Sequence, residues 1–125
     1  MPSYVVSRVA EMLNEESKSV KDSNVLVLGA THKPDIADQR ESPAPHVADI
    51  LVAKGANVRF HDPYVETWHL ESGDLSRVED LDAALAEADI ALLLQPHRSY
   101  DLAAIGDRAG LLLDTQGVTE GGVRL

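Results

Sequence analysis

Short apolar runs alternate along the chain with segments in which apolar residues recur every three to four positions. Runs at residues 25–28, 90–94 and 111–113 predict strands, and the first is apolar on both faces, as central parallel strands usually are. Residues 57–61 predict a further strand that ends at Asp62. Because strands alternate with helices, we predict an α/β fold with a Rossmann-like, mainly parallel sheet flanked by helices.

Helical spacing marks four segments. Residues 3–17 predict an amphipathic N-terminal helix whose apolar stripe needs a partner. A second helix is expected to begin with Ser42 as its cap and a proline at its first position, and to end at Gly55. Residues 79–88 predict a third helix, and Leu102 belongs to a short fourth one.

Two stretches carry weaker patterns. Residues 65–76 indicate a surface excursion, and a short strand can form at residues 75–78. After Gly117 the tail contains two adjacent glycines, and we expect it to fray. The chain shows no internal repeat, and its 125 residues can bury a core of their own.

Composition narrows the class of protein. Apolar residues make up 44% of the chain and the mean hydropathy is −0.15, as in ordinary globular proteins. The apolar runs are far too short to cross a bilayer, and no signal-peptide pattern opens the chain, so we expect a cytoplasmic location without membrane contact. The formal net charge of −10 argues against nucleic-acid binding. The lack of cysteine excludes disulfides, thiolate metal ligands and a thiol nucleophile.

A loop with two cations follows the first predicted strand. Lys33 and Arg40 lie on it, at the strand end where open α/β sheets bind ligands. Both side chains suit phosphate or carboxylate oxygens, which indicates an anion site. The alternative is a solvated loop in which Asp35 or Asp38 pairs with these cations. Because Gly29 is its only glycine, the loop is not the G-x-G-x-x-G cradle of a dinucleotide.

Other strand ends carry histidine and aspartate. Of the five histidines, His46, His61 and His97 fall on separate elements, and no ligand-spaced pair recurs, so we expect no metal site. His97 follows the fourth predicted strand and either lines the site or belongs to a structural turn. Asp62 stands where dinucleotide folds place a ribose-binding carboxylate, but the missing glycines favour a strand-terminating turn. Tyr64 and Trp68 are interpreted as packing residues and not as platforms for a base.

Residues 29–44 closely resemble a family motif. Their sequence, GATHKPDIADQRESPA, is similar to the G-x-x-[YF]-K-x-x-x-x-D-x-R-E-S-P segment of the UDP-glucose/GDP-mannose dehydrogenase family. Residues 2–6 and 13–14 look like the end of that family's long central helix, and further pieces from Gly55 to Asp114 follow in the family's order. The resemblance covers nearly the whole chain. It concerns the third, carboxyl-terminal domain, which in that family binds the nucleotide-sugar.

The resemblance implies an activity for a larger enzyme. In that family the complete protein oxidises a sugar C6 alcohol to a carboxylate with two NAD+, through a catalytic cysteine. That cysteine and the NAD domain are not in this chain, so we expect the chain alone to be inactive. Residues 1–20 would be the end of a central linker helix and residues 21–125 the UDP-sugar-binding domain. The start at Met1, directly before a helix, is interpreted as a cut through a longer protein.

The resemblance also implies partners and site residues. The expected partners are a UDP-sugar, the amino-terminal and central domains of the same enzyme, which mainly hold the cofactor NAD, and a second copy in a homodimer. Lys33 matches the lysine that reaches the nucleotide-sugar, and Arg40 matches the arginine that contacts NAD across the domain interface. His32 replaces the usual Tyr or Phe and stacks less well beside the substrate. Gln116 stands where relatives often carry an arginine.

The substrate branch is a finer expectation from the same resemblance. Residues 40–44 look most like the branch that makes aminouronic acids from UDP-N-acetylhexosamines, the mannosaminuronate type. UDP-glucose 6-dehydrogenase is the alternative. Hypotheses of other classes are a free-standing nucleotide-binding or regulatory module and a structural dimerisation domain.

Overall fold

A computed structural model of the chain describes residues 2–30, 44–115 and 123–124, and the structural statements below refer to these. The described helices are α1 (Pro2–Glu15), α2 (Ala44–Ala53), α3 (Leu81–Glu87) and α4 (Leu102–Arg108). The described strands are β1 (Asn24–Leu28), β2 (Asn57–His61), β3 (Thr67–Leu70), β4 (Gly73–Ser76), β5 (Ile90–Leu93), β6 (Leu112–Asp114) and β7 (Val123–Arg124).

Five of these strands form one parallel sheet in the order β2-β1-β5-β6-β7. Val25 of β1 lies opposite Val58 of β2 on one side and Ile90 of β5 on the other. The predicted α/β, Rossmann-like fold with an N-terminal helix is therefore confirmed. The expectation that the tail frays is wrong for β7, because the open edge of β6 offers it a partner and Val123 pairs with Leu113.

Alternate side chains of β1 enter two separate cores. Val25 and Val27 belong to the core that α1 and α2 cover, while Leu26 and Leu28 belong to the core under α3 and α4. All four side chains are at most 1% exposed. The unbroken apolar run of this strand is explained by helices on both of its faces.

The apolar stripe of α1 packs into the first of these cores, together with α2. Its buried members follow helical spacing: Val5, Val6, Val9, Met12 and Leu13. Burial of each such side chain contributes roughly 1.5–3 kcal/mol relative to exposure. The partner that the amphipathic pattern requires is thus supplied within the chain.

Residues 67–76 form a β-hairpin where the sequence indicates a surface excursion. β3 and β4 pair antiparallel, with Trp68 opposite Leu75. Trp68 is 1% exposed and its ring centroid lies 5.3 Å from that of Phe60, so the prediction of a packing residue is confirmed. The period-2 signal of β3 rests on only two core-facing side chains and is too short to recognise. The strand expected at residues 75–78 begins and ends earlier.

A carboxylate holds the amino end of β1. Asp89 accepts the backbone N–H of Asn24 at 2.7 Å and the ammonium group of Lys18 at 2.8 Å. The hydrogen bond from Lys18 lowers the pKa of Asp89 below its ordinary value, and the hydrogen bond from Asn24 lowers it further by a smaller amount. The start of β1 is therefore fixed to the residue that precedes β5.

Gly29 follows β1 with a left-handed backbone. Its φ is +96°, and a Cβ at this position would lie 2.6 Å from both the Cβ and the backbone nitrogen of Gln95. Its N–H donates to the carbonyl of His61 at 2.9 Å. The chain after β1 thus passes directly against the chain after β5, at a distance that only glycine allows.

We expect Gly29→Ala to lower the free energy of unfolding by about 2 kcal/mol or more, since it adds a left-handed backbone penalty to a steric overlap with Gln95. Urea denaturation of the chain measures the loss. Gly106→Ala is the matched control, because a Cβ at this position of α4 meets no atom within 4 Å. Alanine there should add roughly 0.5–1 kcal/mol. If Gly29→Ala were as stable as the unaltered chain, the close approach at Gly29 would be disproved.

Candidate functional site

The carboxyl edge of the sheet contains a point at which the chain changes direction across the sheet. From β1 the chain crosses to β2 on one side, and it later enters β5 on the other side of β1. Open α/β sheets bind ligands outside the strand ends at such a switch point. The segments that follow β1, β2 and β5 therefore form the candidate site.

Asp62 connects these three segments. Its Oδ2 accepts the backbone N–H of Ala30 at 2.8 Å and Nε2–H of His97 at 2.9 Å, and its Oδ1 accepts the N–H of Tyr64 at 2.8 Å. The side chains of Asp62 and His97 are both 0% exposed. Because Ala30 follows β1, Tyr64 follows β2 and His97 follows β5, one carboxylate joins the ends of three adjacent strands.

Aromatic rings surround the imidazole of His97. Tyr64 meets it edge-on at a centroid distance of 5.1 Å, and the ring of Tyr100 lies at 5.8 Å. Tyr64 is 43% exposed, so its ring packs on His97 with one side in solvent. These contacts limit how the imidazole can rotate and keep Nε2 directed at Asp62.

A second hydrogen-bonded pair lies beside the first. The Tyr100 hydroxyl donates to the carbonyl of His61 at 2.8 Å and lies 3.0 Å from Nδ1 of the same residue. Burial raises the pKa of Tyr100 above its ordinary value, and the negative charge of Asp62 raises it further by a smaller amount. Burial lowers the pKa of His61 below 6.5, and the positive charge of Arg77 lowers it further by a smaller amount. Both side chains therefore favour their neutral forms.

An open cleft of about 470 Å³ lies beside the end of β2. Its lining residues are His61, Glu66, Ser76, Arg77, Val78 and Glu79. Arg77 donates to the carbonyls of Asp62 at 3.2 Å and Pro63 at 3.3 Å. The one arginine in this lining already donates to backbone carbonyls, and two glutamates add negative charge to the wall. The cleft therefore does not suit a phosphate group.

Several residues named from the sequence lie outside the described residues: Lys33, His32, Arg40, Asp35, Asp38, Ser42 and Gln116. Their assigned roles stay predictions. The residue before the segment 31–43 is described: it is Ala30, and Asp62 holds it at the switch point.

The strand-terminating turn predicted at Asp62 is confirmed. Its carboxylate is buried and accepts three N–H groups, so it is not available to a ribose hydroxyl. His97 likewise belongs to a buried structural turn and not to an open wall of the site. The bond between the two residues was not predicted, since the only sequence signal is that both follow apolar strands.

The described residues contain neither a metal-binding cluster nor a membrane-spanning helix. Among them, no group of three or more His, Asp or Glu side chains is placed to hold a metal ion. Within this part of the chain, none of the helices has both the length and the apolar character needed to cross a membrane.

Comparison with known proteins identifies the family. A family model described as the UDP-glucose/GDP-mannose dehydrogenase family, UDP binding domain, matches residues 26–121. This chain belongs to that family. The match includes all three segments that meet at Asp62, and it confirms the resemblance seen in the sequence around Lys33.

Relatives of this UDP binding domain are parts of much longer proteins. UDP-N-acetyl-D-mannosamine dehydrogenase of Yersinia pestis is 30% identical over 123 residues, which are 94% of this chain and 29% of that protein. The structure of UDP-N-acetyl-mannosamine dehydrogenase from S. aureus is 27% identical, with a TM-score of 0.75, over 98% of this chain and 29% of that one. NDP-N-acetyl-D-galactosaminuronic acid dehydrogenase from Methanosarcina mazei shares the fold, with a TM-score of 0.81 and 22% identity over 99% of this chain and 28% of that one. The chain thus spans less than a third of these relatives.

In this UDP binding domain we expect NMR titration to give His61 a pKa below 6.5, because burial and Arg77 disfavour its charged form. Unfolding exposes the imidazole, which then binds a proton at about pH 6.5. Between pH 6.5 and the lowered pKa of His61, the unfolded state therefore binds more protons than the folded state. The free energy of unfolding consequently falls as the pH drops through this range.

Two variants check the assignment. His61→Gln should remove this part of the pH dependence of stability. Arg77→Gln should raise the pKa of His61 part of the way, since burial remains. A pKa for His61 at or above 6.5 in the unaltered chain would contradict the expected effect of its surroundings.

Proposed function

We propose that this domain binds the UDP-sugar in an NAD-dependent nucleotide-sugar 6-dehydrogenase that oxidises the C6 alcohol of a UDP-N-acetylhexosamine to the uronic acid. The match of residues 26–121 to the family's UDP binding domain carries this proposal. The relatives named UDP-N-acetyl-D-mannosamine dehydrogenase favour the mannosamine type over UDP-glucose as substrate. The switch point at the carboxyl edge offers the ligand a place on this fold.

Three side chains of the segment that follows Ala30 have roles in this proposal. Lys33 makes charge-assisted contacts to the nucleotide-sugar, and His32 stacks beside it. Arg40 contacts NAD from this side of a domain interface. The support for these roles is the family motif around them and the place of Ala30 at the switch point. Their contribution is to hold the reactants in position, which can supply a large part of a rate enhancement.

The described residues do not suit NAD as a resident cofactor. Dinucleotide folds use a glycine-rich turn and an accessible carboxylate after the second strand. Here Asp62 is buried and its oxygens accept three N–H groups. We therefore assign NAD mainly to other domains of a longer homodimeric enzyme, with residues 1–20 as the end of a linker helix and residues 21–125 as the UDP-sugar domain. The chain alone is not catalytic in this proposal.

Calorimetric titration of the chain with UDP tests the binding function. We expect UDP and UDP-N-acetylmannosamine to bind and AMP to bind at least tenfold more weakly. Lys33→Ala should raise the Kd for UDP at least tenfold, about 1.4 kcal/mol, because a charge-assisted contact is lost. Lys54→Ala is the matched control: it removes the same charge between α2 and β2, at the amino edge of the sheet, and should leave the Kd within twofold.

The same titrations separate the alternatives. Failure of the unaltered chain to bind UDP would refute the binding function, and an unchanged Kd in Lys33→Ala would refute the role of that lysine. Tighter binding of UDP-glucose than of UDP-N-acetylmannosamine would favour UDP-glucose 6-dehydrogenase.

Arg40→Ala tests the contact to the cofactor. In the complete dehydrogenase we expect it to raise the KM for NAD+ at least fivefold, because a cation that faces the cofactor is lost. The same substitution in the isolated chain should leave UDP binding unchanged. An unaltered dependence of the rate on NAD+ would count against the role.

A further inference from the structure

The N–H of Ala30, the last described residue before residues 31–43, is bound by the Asp62 carboxylate. The same carboxylate oxygen accepts the Nε2–H of His97. We propose that Asp62 and His97 are positioning residues for UDP binding, because together they fix Ala30, the residue from which the segment with Lys33 continues, relative to the end of β5. This inference rests on the proposed function and adds two buried residues to it.

The chemistry of the pair favours a positional role over a purely stabilising one. Both side chains are 0% exposed. Removal of ionisable groups from water costs free energy that a well-packed apolar pair of similar size would not require. An apolar pair, however, cannot bind N–H groups. The carboxylate of Asp62 instead accepts three of them, from three different strand ends, in directions set by its two oxygens.

The covalent chain passes this constraint to the proposed binding residue. Ala30 precedes Lys33 by three residues in the sequence, so its position sets where the chain that leads to Lys33 begins. Gly29 packs directly on Gln95, which blocks movement of the chain toward the β5 side. Asp62 holds Ala30 from the β2 side. Without this hold, ordering of the chain that leads to Lys33 adds to the cost of binding, which should raise the Kd for UDP.

Asp89 provides a matched comparison at the opposite edge of the sheet. It also uses a carboxylate oxygen to bind a backbone N–H of the β1 segment, that of Asn24 at 2.7 Å. It lies at the amino end of β1, away from the switch point. Asp89→Asn therefore weakens the hydrogen bond at the amino end of β1, and Asp62→Asn weakens the one at its carboxyl end. Only the carboxyl end faces the proposed ligand.

The test compares Asp62→Asn with Asp89→Asn in the whole chain. In Asp62→Asn a neutral amide replaces the carboxylate, so the bond to the N–H of Ala30 is weakened when the amide oxygen faces it and lost when the NH2 group does. We expect faster hydrogen exchange at the Ala30 amide and a Kd for UDP raised at least tenfold. Asp89→Asn should speed exchange at Asn24 and lower the urea midpoint, yet leave the Kd for UDP within twofold.

His97 variants keep the proposal testable if Asp62→Asn does not fold. Glutamine can place an amide N–H close to the position of Nε2 and so still donate to Asp62, whereas leucine fills similar space without a donor. We expect His97→Gln to keep the Kd for UDP within threefold of the unaltered chain and His97→Leu to raise it at least tenfold. A role in stability alone would make the loss of binding follow the loss of stability in all four variants.

The outcomes are distinguishable. Normal UDP binding by folded Asp62→Asn or His97→Leu overturns the positioning role and leaves the proposed function intact. An equal loss of UDP binding in Asp89→Asn also overturns it, because the effect would then be one of general stability. If the unaltered chain binds no UDP, the proposed function fails and the positioning role fails with it.

Discussion

A single buried carboxylate connects the strand ends at the carboxyl edge of this sheet. Parallel strands are joined by long crossovers, so the loops at their carboxyl ends have no direct covalent connection to one another. Asp62 supplies a non-covalent connection, because it binds one residue after each of β1, β2 and β5. Without it, two backbone N–H groups and one imidazole would lose their acceptor, and a buried group left without one costs about 1–3 kcal/mol.

Local patterns were sufficient to predict most of the sheet. β1, β2 and β5 were located within about one residue of their observed ends, because each is a short apolar run between polar turns. The sequence does not locate β3 or β7, since a pair of core-facing side chains or a two-residue strand leaves almost no periodic signal, and it places β4 two residues too late. Their stability comes from partners elsewhere in the chain: Phe60 for Trp68, and β6 for β7.

The candidate site was predictable in a different way. Two cations on a loop are physically compatible with either a ligand site or solvated ion pairs, so only the family motif around Lys33 and Arg40 selected between them. The hydrogen bond between Asp62 and His97 joins residues 35 positions apart and has no sequence signature of that kind. Physical reasoning from the sequence thus predicts the edge of the sheet at which a ligand binds, and the motif predicts the binding residues. The fold locates Ala30, from which the segment with those residues continues.

The hairpin has a consequence for self-association. β2 is an outer strand of the parallel sheet, and an unprotected outer strand can pair with the sheet of another molecule and start aggregation. Here the N–H of Val78, just beyond the hairpin, donates to the carbonyl of Phe60 at 3.1 Å, and Trp68 packs on the same residue. The segment between β2 and α3 therefore covers part of this edge strand and makes sheet extension by a neighbouring copy unfavourable there.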